Sequence, residues 1–409
     1  MKVLLVVNWY GSAGGMENYI ANVSTLLEGH GLEVVVFYAD AGLDLFHVPG
    51  RQEYRIPNLL DLTGRPPPAS LALVRRLLDE ERPDVAYIHT TVNPGLGELI
   101  VRRLPTVFFA HNHAVYCPSG TKLFRRSNTP CRVSFGMRCM ANAYLQHCNS
   151  RRPWVVWETY QRVRALDAWL PLVDVHVVDS RFMQTRLAEA GIAADRIHIL
   201  PSYILMEQAS LAAEGPGQDE RTVLFVGRFT PEKGLKFLFE AMARVPPPWR
   251  LVVAGHGYQA EEMQALAAHL QLPGAVEFFV GWLDRERLGG LYRACRLLVV
   301  PSAWPEPFGL VGPEAMSYGK PVVGFDVGGI PDWLRDGETG YLVPPGDVGH
   351  LAERIARLLD DPDLARRLGG QGRAFVDSRF GAKAHLDALL GIFGEAMRRR
   401  GAALRVAVP

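Results

Sequence analysis

Two carboxylates, Glu306 and Glu314, stand with seven residues between them, around Pro307, Phe308, Gly309, Leu310 and Val311. Upstream, the stretch Gly227 to Gly234 carries two cations, Arg228 and Lys233, with four residues between them. Arg offers a planar fork and Lys a point charge, so the two together can clamp a diphosphate. One carboxylate can orient a sugar while the other accepts hydrogen bonds from a ribose diol. The combination fits a sugar carried on a nucleoside diphosphate. A third candidate, His111, follows the apolar run Thr106 to Ala110.

The elements that must hold these residues are legible. Leu297 to Val300 is a short apolar run that reads as a buried strand. Pro301, Pro305 and Pro307 then forbid both a ladder and a helix interior. A helical pattern begins at about Leu310, with Pro313 tolerated in its first turn. The free N–H groups of Gly309 to Val311 therefore open onto a crevice, an anion site by construction. Thr222 to Val226 reads as a strand and Leu235 as the start of a helix, which places Arg228 and Lys233 in a strand-to-helix loop. Strands are also expected at Leu251 to Ala254, Val276 to Val280, Pro321 to Phe325 and Gly340 to Val343.

The first half repeats the alternation. Val3 to Val7 reads as a strand, Met16 to Glu28 as a helix and Val34 to Tyr38 as a strand, a βαβ opening that implies a parallel sheet. Between them, Gly11, Gly14 and Gly15 are spaced Gly-x-x-Gly-Gly. That does not match the dinucleotide fingerprint, although Asp40 stands where a ribose acid would be expected. Further strands are expected at Val85 to His89, Thr106 to Ala110, Asp174 to Val178 and Ile197 to Leu200, with a helix from Leu71 to Glu81. Histidine at the end of a parallel strand faces the ligand edge of such a sheet. Trp154 to Leu170 has helical spacing, and its aromatic residues are expected to pack inside.

Cys117, Cys131, Cys139 and Cys148 crowd one loop-rich stretch, and only Cys295 lies elsewhere. Four thiols can hold a structural zinc or an iron–sulfur cluster. The stretch lacks a Cys-x-x-Cys knuckle, so four reduced cysteines in an insertion read equally well. Arg125-Arg126 and Arg151-Arg152 in the same region offer contact to an anionic acceptor or lipid headgroups, or simply a solvated loop. Arg398 to Arg400 form a small basic tail, expected to be solvated or to brush anionic lipid.

Composition bounds the rest. The 409 residues exceed one compact core and suit two domains. With 48% hydrophobic and 21% charged residues, the chain is ordinary for a globular protein. A net charge of +1 argues against a nucleic-acid binder. The opening Met1 to Val7 is too short for a signal-peptide core, and no run is long enough to span a bilayer, so a cytoplasmic location is expected. Glu214 to Glu220 is a Gly, Pro and acid-rich break, the expected boundary between halves.

The Glu306 to Glu314 stretch resembles the Glu-x7-Glu signature of retaining glycosyltransferases of family 4, the glycosyl transferases group 1. The Gly227 to Gly234 loop matches that family's donor loop, Gly14-Gly15-Met16-Glu17 looks like its Gly-Gly-x-Glu loop, and His111 aligns with its cleft histidine. The turn Pro201-Ser202-Tyr203-Ile204 departs from the family's Pro-x-Gly-Val type.

The resemblance implies an α/β GT-B fold, two doubly wound Rossmann-like domains facing across a cleft. Their expected extents are residues 1–203 on the acceptor side, with a cysteine-containing insertion at 114–153, and 204–380 for the nucleotide sugar. Residues 381–409 would form a helix crossing back. The implied activity is transfer of a hexose from a nucleotide-diphosphate sugar to a hydroxyl of a glycan, lipid-linked or small-molecule acceptor. Transfer would retain anomeric configuration and need no cofactor or catalytic metal. Glu306, Lys233, Arg228 and His111 would be catalytic. Gly14, Gly15, Trp282, Leu283, Phe308, Gly309, Leu310, Val311 and Glu314 would bind the donor beside the two cations. A role in polysaccharide biosynthesis and a peripheral contact with the inner membrane face are further expectations. A nucleotide-sugar epimerase and a non-catalytic nucleotide-sugar-binding subunit remain open readings.

Overall fold

The structure, a computed structural model, describes residues 1–9, 15–40, 48–62, 64–204 and 221–407. Gly11, Gly14 and the break at 214–220 lie outside the described residues. The chain divides into two compact units. The first holds residues 1–122, 132–203 and 382–409, and the second holds 123–131 and 204–381. Residues 123–131, expected to stay with the first half's insertion, group instead with the second unit.

In the first unit the strands are β1 (Lys2–Trp9), β2 (Glu33–Asp40), β3 (Gln52–Arg55), β4 (Val85–Ile88) and β5 (Thr106–Ala110). A small antiparallel hairpin follows, β6 (Leu123–Phe124) with β7 (Thr129–Pro130). Then come β8 (Val175–Val178) and β9 (Ile197–Ile199). The parallel sheet runs β3-β2-β1-β4-β5-β8-β9.

β1 has no polar face because both sides of the sheet are covered. Leu4 and Val6 enter one core cluster, whereas Val3, Leu5 and Val7 enter the other. The second cluster is closed by the helix Ala382–Ala407, which supplies Leu386, Leu389, Phe393 and Ala396. Burying each large one of these contributes about 1.5–3 kcal/mol, which ties the end of the chain to the first unit. The basic tail is tied too. Arg399 pairs with Asp195 at 3.0 Å and Glu395 at 2.8 Å. Arg400 donates to the Leu104 carbonyl at 2.8 Å and to Asp174 at 3.2 Å. These two arginines are structural, contrary to the solvated or lipid-facing tail expected from sequence.

In the second unit the strands are β10 (Thr222–Val226), β11 (Arg250–Gly255), β12 (Ala275–Val280), β13 (Leu297–Val300), β14 (Val322–Phe325) and β15 (Gly340–Val343). They form a parallel sheet ordered β12-β11-β10-β13-β14-β15.

Two elements escaped the sequence reading, and one reading failed. The helix Pro94–Arg103 was hidden by its glycines, although Asn93 caps it by accepting from the Gly95 and Leu96 amides. The edge strand β3, with Gln, Glu and Arg among its four residues, carries no apolar signal. The helix Pro153–Leu166 buries Val156, Tyr160 and Val163, but Trp154 and Trp157 point outward and are exposed. Two indoles cannot join the buried stripe because its repeat falls on other positions. Among the described residues, no helix is long and apolar enough to cross a membrane.

Candidate active site

The second unit's sheet fixes where its loops meet. The chain leaves β10 for β11 and β12 on one side, then returns to β13 on the other side of β10. Such a reversal opens a crevice at the carboxyl ends of the two central strands. Lys233 follows β10 and Glu306 follows β13, so each stands beside that crevice.

Lys233 lies in a single 3-10 turn, Pro231–Lys233, which ends on Gly234 at φ +69°. Gly234 packs so closely on the next loop that a Cβ would sit 1.8 Å from the Pro301 carbonyl oxygen. The Ala303 amide donates to the Glu232 carbonyl at 2.9 Å and locks the same two loops together. The result is one short contact: the Lys233 Nζ donates to Glu306 Oε1 at 2.6 Å. The Ser302 hydroxyl donates to the same oxygen at 2.6 Å. The ammonium also lies 5.4 Å from the Trp304 ring centroid, within cation–π range. Burial pushes the Glu306 carboxyl up, but Lys233 and Ser302 outweigh it and hold the carboxyl below the usual range. Glu306 is therefore an ionised acceptor.

A glycine turn after β14 supports Glu306 from behind. Gly328 has φ +58°, and a Cβ there would lie 2.2 Å from the Glu306 carbonyl oxygen. The next amide, Gly329, donates to that oxygen at 2.7 Å. Phe308 is buried, and its carbonyl accepts from the Trp333 indole at 2.6 Å. Gly309 turns the chain at φ +86° into the helix Val311–Ser317. Leu310 caps this helix without a side-chain acceptor. Glu314 in the first turn accepts from the Tyr292 hydroxyl at 3.0 Å, and burial raises its pKa against the pull of Tyr292 and Arg285.

Arg228 is more open. Its side chain is 55% exposed, and its guanidinium lies 3.9 Å from Glu232. The Phe229 amide, next along, donates to the His256 carbonyl at 2.7 Å, which docks this loop on the one after β11. Trp282, after β12, lies 6.0 Å ring to ring from His256 and is half exposed, while Leu283 is partly buried. The loops carrying Arg228, Lys233, Trp282, Glu306 and the helix of Glu314 thus all follow strands of one sheet, at its carboxyl edge. Only Lys233 and Glu306 make a direct bond; Glu314 is engaged by Tyr292.

His111 belongs to the first unit, at the end of β5. Its ring stacks on Phe109 with centroids 3.9 Å apart. Its Nε2 is 3.0 Å from His89 Nδ1, and its Nδ1 is 3.9 Å from Asp179 Oδ2. Asp179 in turn accepts from the Ser202 amide at 3.2 Å and hydroxyl at 3.0 Å. Burial alone pulls His111 down to about 3, and burial lifts Asp179 to about 7 against the Ser202 bonds.

Burial likewise pulls His89 well down, His176 to about 3 and His385 to about 4. A histidine lowered by folding stabilises fully above its unfolded value of about 6.5 and loses that stability as pH falls. Asp179, raised by folding, acts oppositely between about 4 and 7. Four histidines against three carboxyls raised by burial, Asp179, Glu314 and Asp174, still leave a net uptake of protons on unfolding between pH 6.5 and 5. The melting temperature should therefore fall steeply as pH drops from 6.5 to 5. A flat profile over that range would contradict the neutral buried histidines.

Two family models match the chain. "Glycosyltransferase Family 4" covers residues 13–204, and "Glycosyl transferases group 1" covers residues 207–375. The chain belongs to the GT-B glycosyltransferases. The alpha-D-kanosaminyltransferase of Streptomyces kanamyceticus is 30% identical over 59% of this chain and 64% of its own length. The D-inositol 3-phosphate glycosyltransferase of Mycolicibacterium smegmatis is 29% identical over 95% of this chain and 87% of its own. Sucrose-phosphate synthase from Thermosynechococcus elongatus superimposes with TM-score 0.72 at 26% identity, over 98% of this chain and 99% of that one. The first five curated relatives are matched over only 44% to 64% of their own length.

The remaining expected positions are less informative. Gly14 lies outside the described residues, and Gly15 is the first residue of the helix Gly15–Gly29. None of Cys117, Cys131, Cys139 and Cys148 is in a disulfide. Among the described residues, no three His, Cys, Asp or Glu side chains gather in a way that could hold a metal ion. Ser302, Tyr292 and Asp179 were missed. Ser302 and Asp179 each stand just past the end of a buried strand, the signal that singled out His111.

Proposed function

We propose that this glycosyltransferase moves a sugar from a nucleotide-diphosphate donor to a hydroxyl acceptor, retaining anomeric configuration and using no metal ion. The observation that carries the reading is the 2.6 Å contact between Lys233 and Glu306 beside the sheet's reversal point. Glu306 holds the ammonium in place, and a diphosphate set against Lys233 and Arg228 meets the positive charge that a divalent ion would otherwise supply. Glu314 takes the ribose hydroxyls and Trp282 borders the base.

In the reaction, the bond between the anomeric carbon and the β-phosphate oxygen breaks while the acceptor oxygen bonds to the same face. The acceptor's proton passes to the departing phosphate, so no enzymic nucleophile is required. Glu306 orients the sugar during this exchange. Five thiols outside disulfides suit a reducing cytoplasm. Glycan, lipid-linked and small-molecule acceptors, inositol phosphate among them, belong in one panel, with polysaccharide biosynthesis as the wider setting.

A thermal-shift screen of nucleoside diphosphates in EDTA tests the donor side. A matching nucleotide at a hundred times its Kd should raise the melting temperature by about 5 °C or more. No shift with any nucleoside diphosphate, or a shift only with divalent cation, would contradict the reading.

A further inference from the structure

Away from the donor loops, charge and exposed apolar area coincide in the insertion of the first unit. Between Arg132 and Leu166 the sequence has six arginines against the single acid Glu158, whereas the whole chain carries only +1. The remainder is therefore net negative. Among the described residues, five of the large exposed apolar side chains fall in the same stretch. They are Met137, Tyr144, Leu145, Trp154 and Trp157, exposed by 43% to 74%.

The helices Arg138–Leu145 and Pro153–Leu166 pack against each other. Tyr144 and Leu145 end the first, Arg151 and Arg152 precede the second, and Trp154 lies in its first turn. On the second helix Val156, Tyr160 and Val163 face inward at a helical repeat. Trp154, Trp157 and Arg164 are exposed, three and then seven residues apart, so they share the outer face. A solvated face would carry charged and polar residues there without exposed indoles. Indole rings interleaved with arginines fit instead the boundary between water and lipid, where an aromatic body enters the headgroup layer and cations meet phosphate.

We propose that this face docks the protein on an anionic phospholipid bilayer. Charge complementarity decides the occupant: a surface this basic repels a second copy of itself, and a neutral apolar partner leaves the arginines unmatched. Trp154 and Trp157 enter the interface, while Arg151, Arg152 and Arg164 contact lipid phosphates. The inference goes beyond the transferase reading and does not depend on it.

Flotation of the full chain with vesicles tests it. One set is phosphatidylcholine alone, and the other contains about one third phosphatidylglycerol. The protein should float with the anionic vesicles at low salt and not with the neutral ones, and its tryptophan emission should shift to the blue. The pair Arg151→Gln with Arg152→Gln should weaken binding about thirtyfold. The pair Trp154→Ser with Trp157→Ser should abolish both binding and the blue shift. Both variants should keep the wild-type melting temperature and nucleoside-diphosphate shift. Equal binding to neutral vesicles, undiminished binding by either pair, or a wild-type dimer that the tryptophan pair turns into a monomer would overturn the proposal.

Discussion

Lys233→Met should lose about 1,000-fold in turnover while its sheet stays folded, the scale seen when a group that stabilises developing phosphate or oxyanion charge is removed. The reason is local. Lys233 is 20% exposed and Glu306 only 4%, so the ammonium is the charge that holds the carboxylate, and in the proposed reaction it also meets the diphosphate. Methionine keeps the length of the side chain and its packing beside Trp304 but carries no charge. Glu306 is then left without its cation in a buried site, a situation that costs several kcal/mol unless the group takes up a proton. A second effect follows: the variant's residual activity should be greatest at acid pH, where a neutral Glu306 is tolerated. Lys233→Arg should recover charge but not geometry, because a planar fork cannot occupy the position of a compact ammonium between two carboxyl-edge loops. Steady-state kinetics on the three proteins checks this. Activity of the methionine variant within tenfold of wild type would remove Lys233 from the leaving-group site.

Gly234→Ala should be among the most damaging single methyl groups that can be added to this chain. The backbone there has φ +69°, which by itself costs an alanine about 1 kcal/mol. The larger cost is steric: the methyl would lie 1.8 Å from the Pro301 carbonyl oxygen and 2.9 Å from its carbon, and neither is the end of a flexible side chain. The two loops that carry Lys233 and Glu306 must separate to admit it. A loss of about 3 kcal/mol or more is expected, a fall of roughly 10 °C in melting temperature for a unit of this size. Gly346→Ala separates the two causes. Gly346 has a similar φ of +79° but nothing within 4 Å of an added Cβ. It should therefore lose only the torsional part. Equal losses for the two alanines, measured by thermal unfolding, would show that the loops are not in the contact described.

These two sites mark what could be read from sequence. The apolar runs at Leu297 and Thr222 announced their strands because parallel strands covered on both faces carry no alternation. The loop residues after them were therefore placed correctly along the chain. What sequence could not supply was the partner. Lys233 and Glu306 are 73 positions apart, and their bond follows from strand order, which puts β10 beside β13. Tyr292 on Glu314 and Ser202 on Asp179 are likewise products of packing. Side-chain size misled at Trp154 and Trp157, which suggested core although their helical phase puts them outside. The basic tail was misread because its salt bridges to Asp195 and Asp174 depend on where the last helix lies.

Calorimetric titration is the most direct measurement of the central claim that a diphosphate is gripped at the carboxyl edge of the second sheet. The ligand is the nucleoside diphosphate that most raises the melting temperature. Wild-type protein in EDTA should bind it with one site. Lys233→Met should bind at least tenfold more weakly through the lost phosphate contact, and Glu314→Gln more weakly through the ribose. Equal affinity in all three proteins, or binding by the wild type only when a divalent cation is added, would contradict the account.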